Sequence, residues 1–225
     1  MGKYFKYAIG EILLVVIGIL IALQINNWSE TRKLNKKETI YLKSLKVDFE
    51  QSKLALARVI EKTDRVSKMA DTLVSLIKIN GNELSLTQID TLTSKSSGFT
   101  VFMPSEGVIS DIISSGKLDM ISNNELREKI ASWEANLKMI REFEAIGREI
   151  SNDYINYKSK YFDLANRKFR ESAFISAKRD EFLNDNLFSN YLARIFGNSS
   201  SLNELYVEKL EEIDRLIKII NNELK

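Results

Sequence analysis

The side chains that most often carry enzyme chemistry are missing from this chain of 225 residues, which has no His and no Cys. Without His there is no Ser-His-Asp triad and no HExxH zinc site, because both depend on imidazole. Without Cys there is no thiol nucleophile, thiolate metal site or disulfide. The GxxxxGK[ST] and GxGxxG phosphate-binding patterns do not occur either. The chemistry that remains is a carboxylate pair, a Ser–Lys pair or an oxygen-ligated Mg²⁺ or Ca²⁺ site.

Acidic residues are the first catalytic candidates under these limits. Asp111, Asp119, Glu125 and Glu128 lie close together in the sequence. Helix caps and solvated helix faces explain them more simply than a catalytic pair, because acids are favourable near the first turn of a helix. We therefore expect no enzyme activity, no cofactor and no metal site.

The longest apolar segment extends from Tyr7 to Trp28, with the sequence YAIGEILLVVIGILIALQINNW. A helix that crosses the hydrocarbon core of a bilayer needs roughly 20 such residues. Aromatic residues at both ends are typical of the two membrane interfaces. The exit, ALQINNWSE, lacks the small-x-small pattern of a signal-peptide cleavage site. We predict that residues 1–28 form an uncleaved signal-anchor with one transmembrane helix.

One face of this transmembrane segment carries the residues suited to helix pairing, which are Glu11, Val15, Gly18, Ala22 and Asn26. Gly18 and Ala22 form a small-xxx-small pair that lets two helices approach closely, and Glu11 and Asn26 offer hydrogen bonds. An acid at the membrane interface of a monomeric anchor is a simpler interpretation, and a proton or ion path is a third. We predict association through this face, as a homodimer or with the span of another membrane protein.

The residues that follow have the periodicity of an α-helix. Apolar residues recur every three or four positions from Leu34 to Ile77, and nothing before Asn80-Gly81 breaks a helix. The transmembrane helix therefore continues into a long stalk helix over residues 29–80. The whole chain has one Pro and nine Gly, which also favours long helices.

Residues 81–122 predict shorter elements. A helix over 87–95 is followed by the apolar loop FTVFMP and by a helical hairpin. In the hairpin, Ser105 is expected to cap a helix that ends at Gly116. The second helix of the hairpin is not basic, which argues against a DNA-binding helix-turn-helix.

Residues 123–225 predict a long helix and two C-terminal helices. Ser122 and Glu125 form an S-x-x-E capping box, and a heptad-like apolar seam then continues to Arg167. The next helices are expected over 178–196 and from Ser201 onward, separated by the GNSS sequence. Since no strand pattern is present and striped helices must pack to be stable, we predict an all-α fold with an antiparallel helical bundle.

Two groups of aromatic residues are candidate surfaces for a ligand or a partner. The first is a possible ligand-binding wall made of Trp133, Tyr154, Tyr157 and Tyr161. The second belongs to the apolar loop and contains Phe99 and Phe102. Core packing explains the first group more simply. A plug over the core explains the second, and a partner-binding patch is the alternative.

The blocks YAIGEILLVVIGILIALQINNWSETRK and SDIISSGKLDMISNNELREKI resemble a family of unknown function, made of small single-span membrane proteins common in Bacteroidota. The resemblance implies a helical extramembrane domain and brings no activity, cofactor or catalytic residue. Members often carry a longer basic segment before the span, whereas this chain starts almost at the span.

The topology signals disagree. The basic residues after the span, Arg32, Lys33, Lys36 and Lys37, outnumber those before it and favour a cytoplasmic domain. The basic segment usual in the family that the chain resembles implies a periplasmic domain. We predict a single-pass protein of the bacterial inner membrane with a periplasmic C-terminal domain.

The function that fits these features is a non-enzymatic scaffold or accessory subunit of an envelope complex. The alternative is a membrane-anchored sensor that binds a small ligand between bundle helices. The expected partners are the lipid bilayer and either a second copy or another membrane protein. Nucleic acid is not expected, because the net charge is only +2.

Overall fold

The structure is a computed structural model that describes residues 2–80, 83–169 and 171–225, with side chains described except for 2–9 and 80. The described residues form seven α-helices: α1 Gly2–Asn80, α2 Leu86–Lys95, α3 Gly107–Ser114, α4 Asn124–Ala131, α5 Trp133–Lys158, α6 Arg179–Leu183 and α7 Asn186–Glu223. Short 3-10 helices cover Leu118–Met120, Leu164–Phe169 and Ser176–Lys178. The all-α prediction is confirmed.

Helix α1 is the longest element, with 79 residues and a length of about 120 Å at about 1.5 Å per residue. Its length follows from the sequence, because the only Pro of the chain, Pro104, lies far beyond it. The predicted continuation of the apolar segment into a stalk helix is confirmed, and the structure describes α1 as far as Asn80. Gly81 of the predicted cap and the side chain of Tyr7 lie outside the described residues.

Helix α7 returns antiparallel along the second half of α1. Lys53 on α1 pairs with Asp214 at 2.5 Å, and Ser67 further along α1 meets Ser200 at 3.0 Å. As residue numbers rise along α1 they fall along α7, which is the register of an antiparallel pair. The two apolar stripes bury each other over this length.

Helix α5 completes the bundle and is antiparallel to α7. Asp153 lies 3.8 Å from Arg194 near one end, and Glu144 accepts a hydrogen bond from Tyr206 further along. The ring of Trp133, at the start of α5, packs edge-on against Phe49 of α1 at 5.4 Å. The predicted antiparallel bundle is therefore built from α1, α5 and α7.

The interior contains two separate apolar clusters. The first is nearer the apolar N-terminal segment and includes Leu45, Phe49, Trp133, Ile213 and Leu216. The second lies at the far end of the bundle and is rich in aromatic side chains, including Tyr154, Tyr157, Phe182, Phe188 and Leu192. Short helices α2, α3, α4 and α6 cover the edges of these clusters.

The prediction of one long helix from Asn123 to Arg167 is wrong, because the helix is interrupted in its first part and ends before Arg167. Ser132 interrupts it, because it is the cap residue between the end of α4 and the start of α5, and its Oγ donates to the carbonyl of Glu128 at 2.9 Å. Helix α5 then ends at Lys158. Beyond it the chain turns, because the amide of Ile175 donates to the carbonyl of Tyr161 at 2.9 Å in an isolated β-bridge.

Two predicted helix caps are also wrong. Ser105 does not cap α3, since its Oγ donates to Asp48 at 2.9 Å and the helix begins at Gly107. The capping box of Ser122 and Glu125 does not form. Instead Asn123 accepts from the amide of Leu126 at 3.0 Å, and both the amide and the hydroxyl of Ser122 donate to Glu38 at 2.7 Å. In each case a long-range contact to α1 outcompetes the local cap.

Other local predictions hold. The helix expected over 87–95 is α2, which has a capping box between Ser85 and Gln88. The end predicted at Gly116 lies two residues beyond the last residue of α3, and Gly116 has a φ of 66°, as a helix C-terminal glycine often does.

The break predicted at Gly197–Ser200 is wrong, because α7 continues through it. Ile195 and Leu202 are both buried on either side of the GNSS sequence. The apolar stripe therefore crosses this sequence, and packing against α1 and α5 outweighs the low helix propensity of Gly, Asn and Ser. The division of the chain into four segments stays a prediction.

We predict that Gly197→Ala stabilises the protein. Gly197 lies inside α7, and a Cβ there would meet no atom within 4 Å. Alanine should raise the free energy of unfolding by about 1 kcal/mol through its higher helix propensity. Urea unfolding followed by circular dichroism measures the change.

The control for this prediction is Gly116→Ala, which should destabilise by about 1 kcal/mol because φ there is positive. A loss of stability in the Gly197→Ala variant would argue for a loop at that position.

Candidate functional site

The apolar segment at the start of α1 is exposed on all sides. Its large apolar residues between Ile12 and Ile25 keep 43 to 72% of their surface accessible. An 18-residue window in this helix has a mean hydropathy of 2.0 and no buried residue. Among the described residues this is the one helix long and apolar enough to span a membrane. Nothing else in the described chain covers it.

The five residues of the predicted pairing face are all exposed in this segment. At about 100° per residue they fall within roughly 80° of arc, with Gly18 at one edge and Asn26 at the other. A Cβ at Gly18 would meet no atom within 4 Å. Asn26 donates to Glu30 of the same helix at 3.5 Å. The face predicted for Glu11, Val15 and Ala22 is therefore open to another molecule.

The same face of α1 continues along the outside of the bundle. Ile40, Val47 and Leu54 are spaced by seven residues and are 57, 50 and 62% exposed. In a straight helix they lie within about 40° of Gly18, whereas the buried Phe49 lies on the opposite side. An apolar stripe thus extends from the membrane-length segment onto the bundle, on the side that the bundle leaves uncovered.

Basic residues stand between the two apolar parts of this stripe. Arg32, Lys33, Lys36 and Lys37 are exposed along the first turns after Trp28, and the guanidinium of Arg32 lies 5.6 Å from the Trp28 ring. This pattern is typical of a helix that leaves a membrane through its charged headgroups.

A layer of polar residues separates the two apolar clusters of the bundle. Thr63 of α1 shares a hydrogen bond of 2.7 Å with Thr100, and the hydroxyls of Ser67 and Ser200 lie 3.0 Å apart. A cavity of about 30 Å³ lies in this layer, between α1, α5, α7 and the loop at Gly98–Thr100.

Glu144 is the charged residue of this layer, and only 3% of it is exposed. Its Oε1 accepts from the amide of Phe102 at 2.7 Å and from the hydroxyl of Tyr206 at 2.8 Å. Arg141, one turn earlier, donates to the carbonyl of Phe102 at 3.2 Å. Burial, and then the Glu144 carboxylate, raise the pKa of Tyr206 above its ordinary value. Helix α5 therefore holds both backbone polar groups of Phe102.

The apolar loop has one buried residue, Phe102, and two exposed apolar residues, Phe99 and Met103. Phe102 is buried in the first cluster, in keeping with a plug over the core. Phe99 and Met103 remain exposed, and the guanidinium of Arg148 lies 5.4 Å from the Phe99 ring. The partner-binding interpretation stays a prediction that concerns Phe99 rather than Phe102.

The predicted aromatic wall is divided, because Trp133 lies apart from the three tyrosines. Trp133 belongs to the first cluster, where its Nε1 donates to Glu106 at 2.9 Å and the ammonium of Lys209 lies 4.8 Å from its ring. Tyr154, Tyr157 and Tyr161 belong to the second cluster at the other end of the bundle. All four are buried, and a binding role for them stays a prediction.

Two of the tyrosines support the start of α7. Tyr157 and Tyr161 donate to the same oxygen of Asp185 at 2.7 and 3.1 Å, and Asp185 caps α7 through the amide of Leu187. Burial alone would raise the pKa of Asp185, but the hydrogen bonds, first that from Tyr157, lower it below its ordinary value. This arrangement explains the two hydroxyls as structural groups.

The acidic candidates near the hairpin are not assembled into a site. Asp111 accepts from Tyr41 at 3.0 Å and lies 3.7 Å from Lys117. Glu125 lies in the first turn of α4, as a helix-favouring acid does. In the described residues no group of three or more acids, His or Cys has the geometry to hold a metal ion.

A Ser–Lys contact is present that the sequence did not single out. Lys158, at the end of α5, donates to the hydroxyl of Ser97 and lies 4.5 Å from the ring of Tyr154. Burial, followed by the nearby charge of Arg167, lowers the pKa of Lys158 from 10.5 to about 8. Ser97 itself donates to the carbonyl of Thr93 at 2.5 Å, so its hydroxyl proton is engaged in a helix end.

Glu144 also escaped the sequence analysis. It adjoins the apolar seam of α5 and looks like a solvated residue in the sequence, because only the packing of the loop against α5 buries it. The one available signal was Thr63, a polar residue in the apolar stripe of α1.

Comparison with known proteins gives a family match. The model of a family of unknown function (DUF6090) matches residues 11–200. A search of the curated proteins found no match, and a search of the solved structures found none either.

We predict that Lys158→Met stabilises the protein at neutral pH. The folded state disfavours the charged lysine, whose pKa is lowered from 10.5 to about 8. The free energy of unfolding of the unsubstituted protein should therefore rise between pH 8 and 10.5, where the folded state has lost the proton that the unfolded state keeps. Urea unfolding at several pH values should show the variant's advantage shrinking over this range.

Lys160→Met is the control, because Lys160 lies two residues after Lys158 and its side chain is exposed. A stability difference between Lys158→Met and the unsubstituted protein that stays constant with pH would contradict the lowered pKa.

Proposed function

The chain belongs to the DUF6090 family, whose function is unknown, and we propose that it is a single-pass membrane-anchored scaffold or accessory subunit of a bacterial envelope complex. The proposal depends on one observation: a single uninterrupted helix joins an uncovered apolar segment to a folded bundle.

A bilayer is the environment that best accounts for the N-terminal segment. A helix that is apolar all round is stable only when it is buried. The described chain does not bury it, and its length fits the roughly 20 residues of a membrane span. Trp28 and the basic residues after it support an anchor that ends at the headgroups.

A scaffold role is supported by how the polar groups of the bundle are used. Tyr157 and Tyr161 hold a helix cap, Glu144 holds a loop, and Asp111 pairs with Lys117. These contacts stabilise the fold. The features that remain exposed are the apolar stripe and the basic residues along α1. We therefore propose a non-enzymatic protein that acts through its surfaces.

The outer face of α1 supports a second copy of the chain as partner. Two copies in one membrane enter it in the same direction, so their α1 helices would be parallel and in register. Gly18 and Ala22 would then meet their counterparts, as would Ile40, Val47 and Leu54. Close approach in the span and burial of the stripe would both contribute to the association. Another membrane protein using this face is the alternative partner.

For the compartment we propose the inner membrane, with the bundle in the periplasm. The support is the resemblance to proteins with a basic segment before the span, although the basic residues after the span favour the opposite orientation.

A sensor is the second candidate function. The cavity beside Glu144 lies between three bundle helices, as a small-ligand site in a bundle would. Its lining differs from the aromatic wall expected from the sequence.

We predict that the C-terminus lies in the periplasm. Alkaline phosphatase fused after Lys225 should therefore be active, and green fluorescent protein fused there should not fluoresce. Alkaline phosphatase and green fluorescent protein fusions, which are active in opposite compartments, make the comparison. A chain that fractionates with membranes but carries an active cytoplasmic reporter would overturn the orientation and leave the anchor standing. Release by salt or carbonate washing would overturn the anchor itself.

We predict that single cysteines on the outer face of α1 will form disulfides between two copies in native membranes. The chain has no natural cysteine, so each substitution reports alone. Gly18→Cys, Ala22→Cys and Val47→Cys should crosslink efficiently. Leu20→Cys, on the opposite side of the span, should crosslink poorly.

A second pair of substitutions tests the energetic basis of this association. Gly18→Ile should reduce crosslinking at Val47→Cys because it prevents close approach, whereas Leu20→Ile should have little effect. Crosslinking that is even around the helix, or absent at every position, would mean that the segment is an anchor only.

A further inference from the structure

We propose that a groove at the membrane-facing end of the bundle binds the headgroup of an anionic phospholipid. The inference rests on the proposed membrane anchor, because the ligand comes from the bilayer that surrounds the anchor. Three observations support it. The groove lies close to the end of the apolar segment, its lining combines apolar side chains with two ammonium groups, and the basic residues beside it have no ion-pair partner in the described chain.

The groove lies near the point where the hairpin meets α1. The hairpin runs along α1 toward the apolar segment, since Asp111 accepts from Tyr41 and Ser122 donates to Glu38, almost one turn nearer to that segment. Glu38 lies ten residues beyond Trp28, or about 15 Å along the helix. Long basic side chains on these turns lean toward the N-terminus of the helix, and therefore toward the lipid headgroups.

The lining of the groove is amphipathic. Lys37, Ile40 and Tyr41 of α1 and Lys117 and Met120 of the hairpin enclose a volume of about 330 Å³. Ile40 is 57% exposed, and the ammonium of Lys117 lies 5.5 Å from the centre of the Tyr41 ring. This volume is within the range of small-ligand sites. A phospholipid headgroup has matching parts, because its phosphodiester is anionic and the glycerol carbons beside it are apolar.

The basic residues between the anchor and the groove are not neutralised by the protein. They are Arg32, Lys33, Lys36 and Lys37. In the described part of the chain none of them has a carboxylate within 4 Å. The two acids nearby have other contacts, since Glu30 accepts from Asn26 at 3.5 Å and Glu38 accepts from Ser122 at 2.7 Å. Basic residues next to a membrane span attract anionic lipids.

The charge of the groove matches that of one phosphodiester. Lys117 lies 3.7 Å from Asp111 and donates to the Tyr41 hydroxyl at 2.9 Å. An ammonium has three hydrogens, so Lys117 can keep these contacts and still donate to a phosphate. Neither Asp111 nor Asp119, which precedes Met120, lines the groove. Asp111 offsets the charge of Lys117, and Lys37 supplies the remaining positive charge.

The anchor is the reason to assign a lipid and not a free anion. It holds the groove next to a layer of headgroups, so the effective concentration of lipid phosphate at the groove is high. The groove lies beside the outer face of α1, because Tyr41 is about 100° around the helix from Ile40. Lipid binding and pairing of two copies can therefore be tested separately.

Lipid retention by the full chain in nanodiscs tests the proposal. The nanodiscs contain equal amounts of phosphatidylcholine and phosphatidylglycerol, and native mass spectrometry counts the lipids that stay bound to each chain. We expect one phosphatidylglycerol per chain, retained several-fold over phosphatidylcholine. The Tm, followed by tryptophan fluorescence, should be a few degrees higher with phosphatidylglycerol than in phosphatidylcholine alone, because the headgroup connects α1 to the hairpin.

Lys37→Gln combined with Lys117→Gln identifies the site. Both side chains are on the surface, so the double variant should melt like the unsubstituted protein in phosphatidylcholine. It should retain the two lipids equally and lose the rise in Tm. Lys43→Gln is the control, because Lys43 is an exposed lysine of α1 outside the groove, and it should keep the preference.

Met120→Glu provides a second variant that leaves α1 unchanged. It adds a negative charge to the lining, so the preference for phosphatidylglycerol should disappear by repulsion. Crosslinking at Val47→Cys in native membranes should persist, because the outer face of α1 is intact.

Three results would contradict the groove as a lipid site. Equal retention of the two lipids by the inserted chain would overturn it. A preference that survives both the double lysine variant and Met120→Glu would place the headgroup on the basic run alone. An equal rise in Tm with inorganic phosphate in phosphatidylcholine nanodiscs would assign the groove to a free anion. A chain that does not enter nanodiscs would instead overturn the membrane anchor, and the proposal with it.

Discussion

The structure depends on one helix that must be stable in two different surroundings. In its first part α1 exposes apolar side chains on all sides, and in its second part it buries only the side that α5 and α7 cover. From residue 19 to its end at residue 80, α1 contains no Pro and no Gly, so one continuous helix can form both parts. Because α1 is one continuous helix, its residues keep fixed angular positions around the axis along the whole length. The side of α1 that packs in the bundle therefore determines which side of the anchor faces away from the bundle.

A second constraint is the polar layer between the two apolar clusters. Glu144, Thr63 and Ser67 interrupt the core where an apolar layer of similar shape would contribute more to stability. Their hydrogen bonds to Tyr206, Thr100 and Ser200 join α1, α5, α7 and the apolar loop at one level. Such contacts favour one register of the helices.

Most of the fold could be predicted from the sequence, because long helices are governed by local periodicity. The extent of α1 and the antiparallel packing followed from the spacing of apolar residues. The errors arose where a contact with a distant part of the chain replaces a local helix cap. The hydroxyl of Ser105 donates to Asp48, and the hydroxyl of Ser122 donates to Glu38. The candidate site was harder to predict. The burial of Glu144 depends on the loop at Phe102, which lies 42 residues away in the sequence.

The most direct test of this account measures the length and straightness of α1 in a membrane. Spin labels at Ile21→Cys and Ala57→Cys lie on the same side of the helix, 36 residues apart, and the chain has no other cysteine. Pulsed electron paramagnetic resonance in nanodiscs, with labelled chain diluted in unlabelled chain, should give one narrow distance of about 54 Å. A broad distribution, or a distance well below this value, would show a break between the anchor and the bundle and contradict the continuous face of α1.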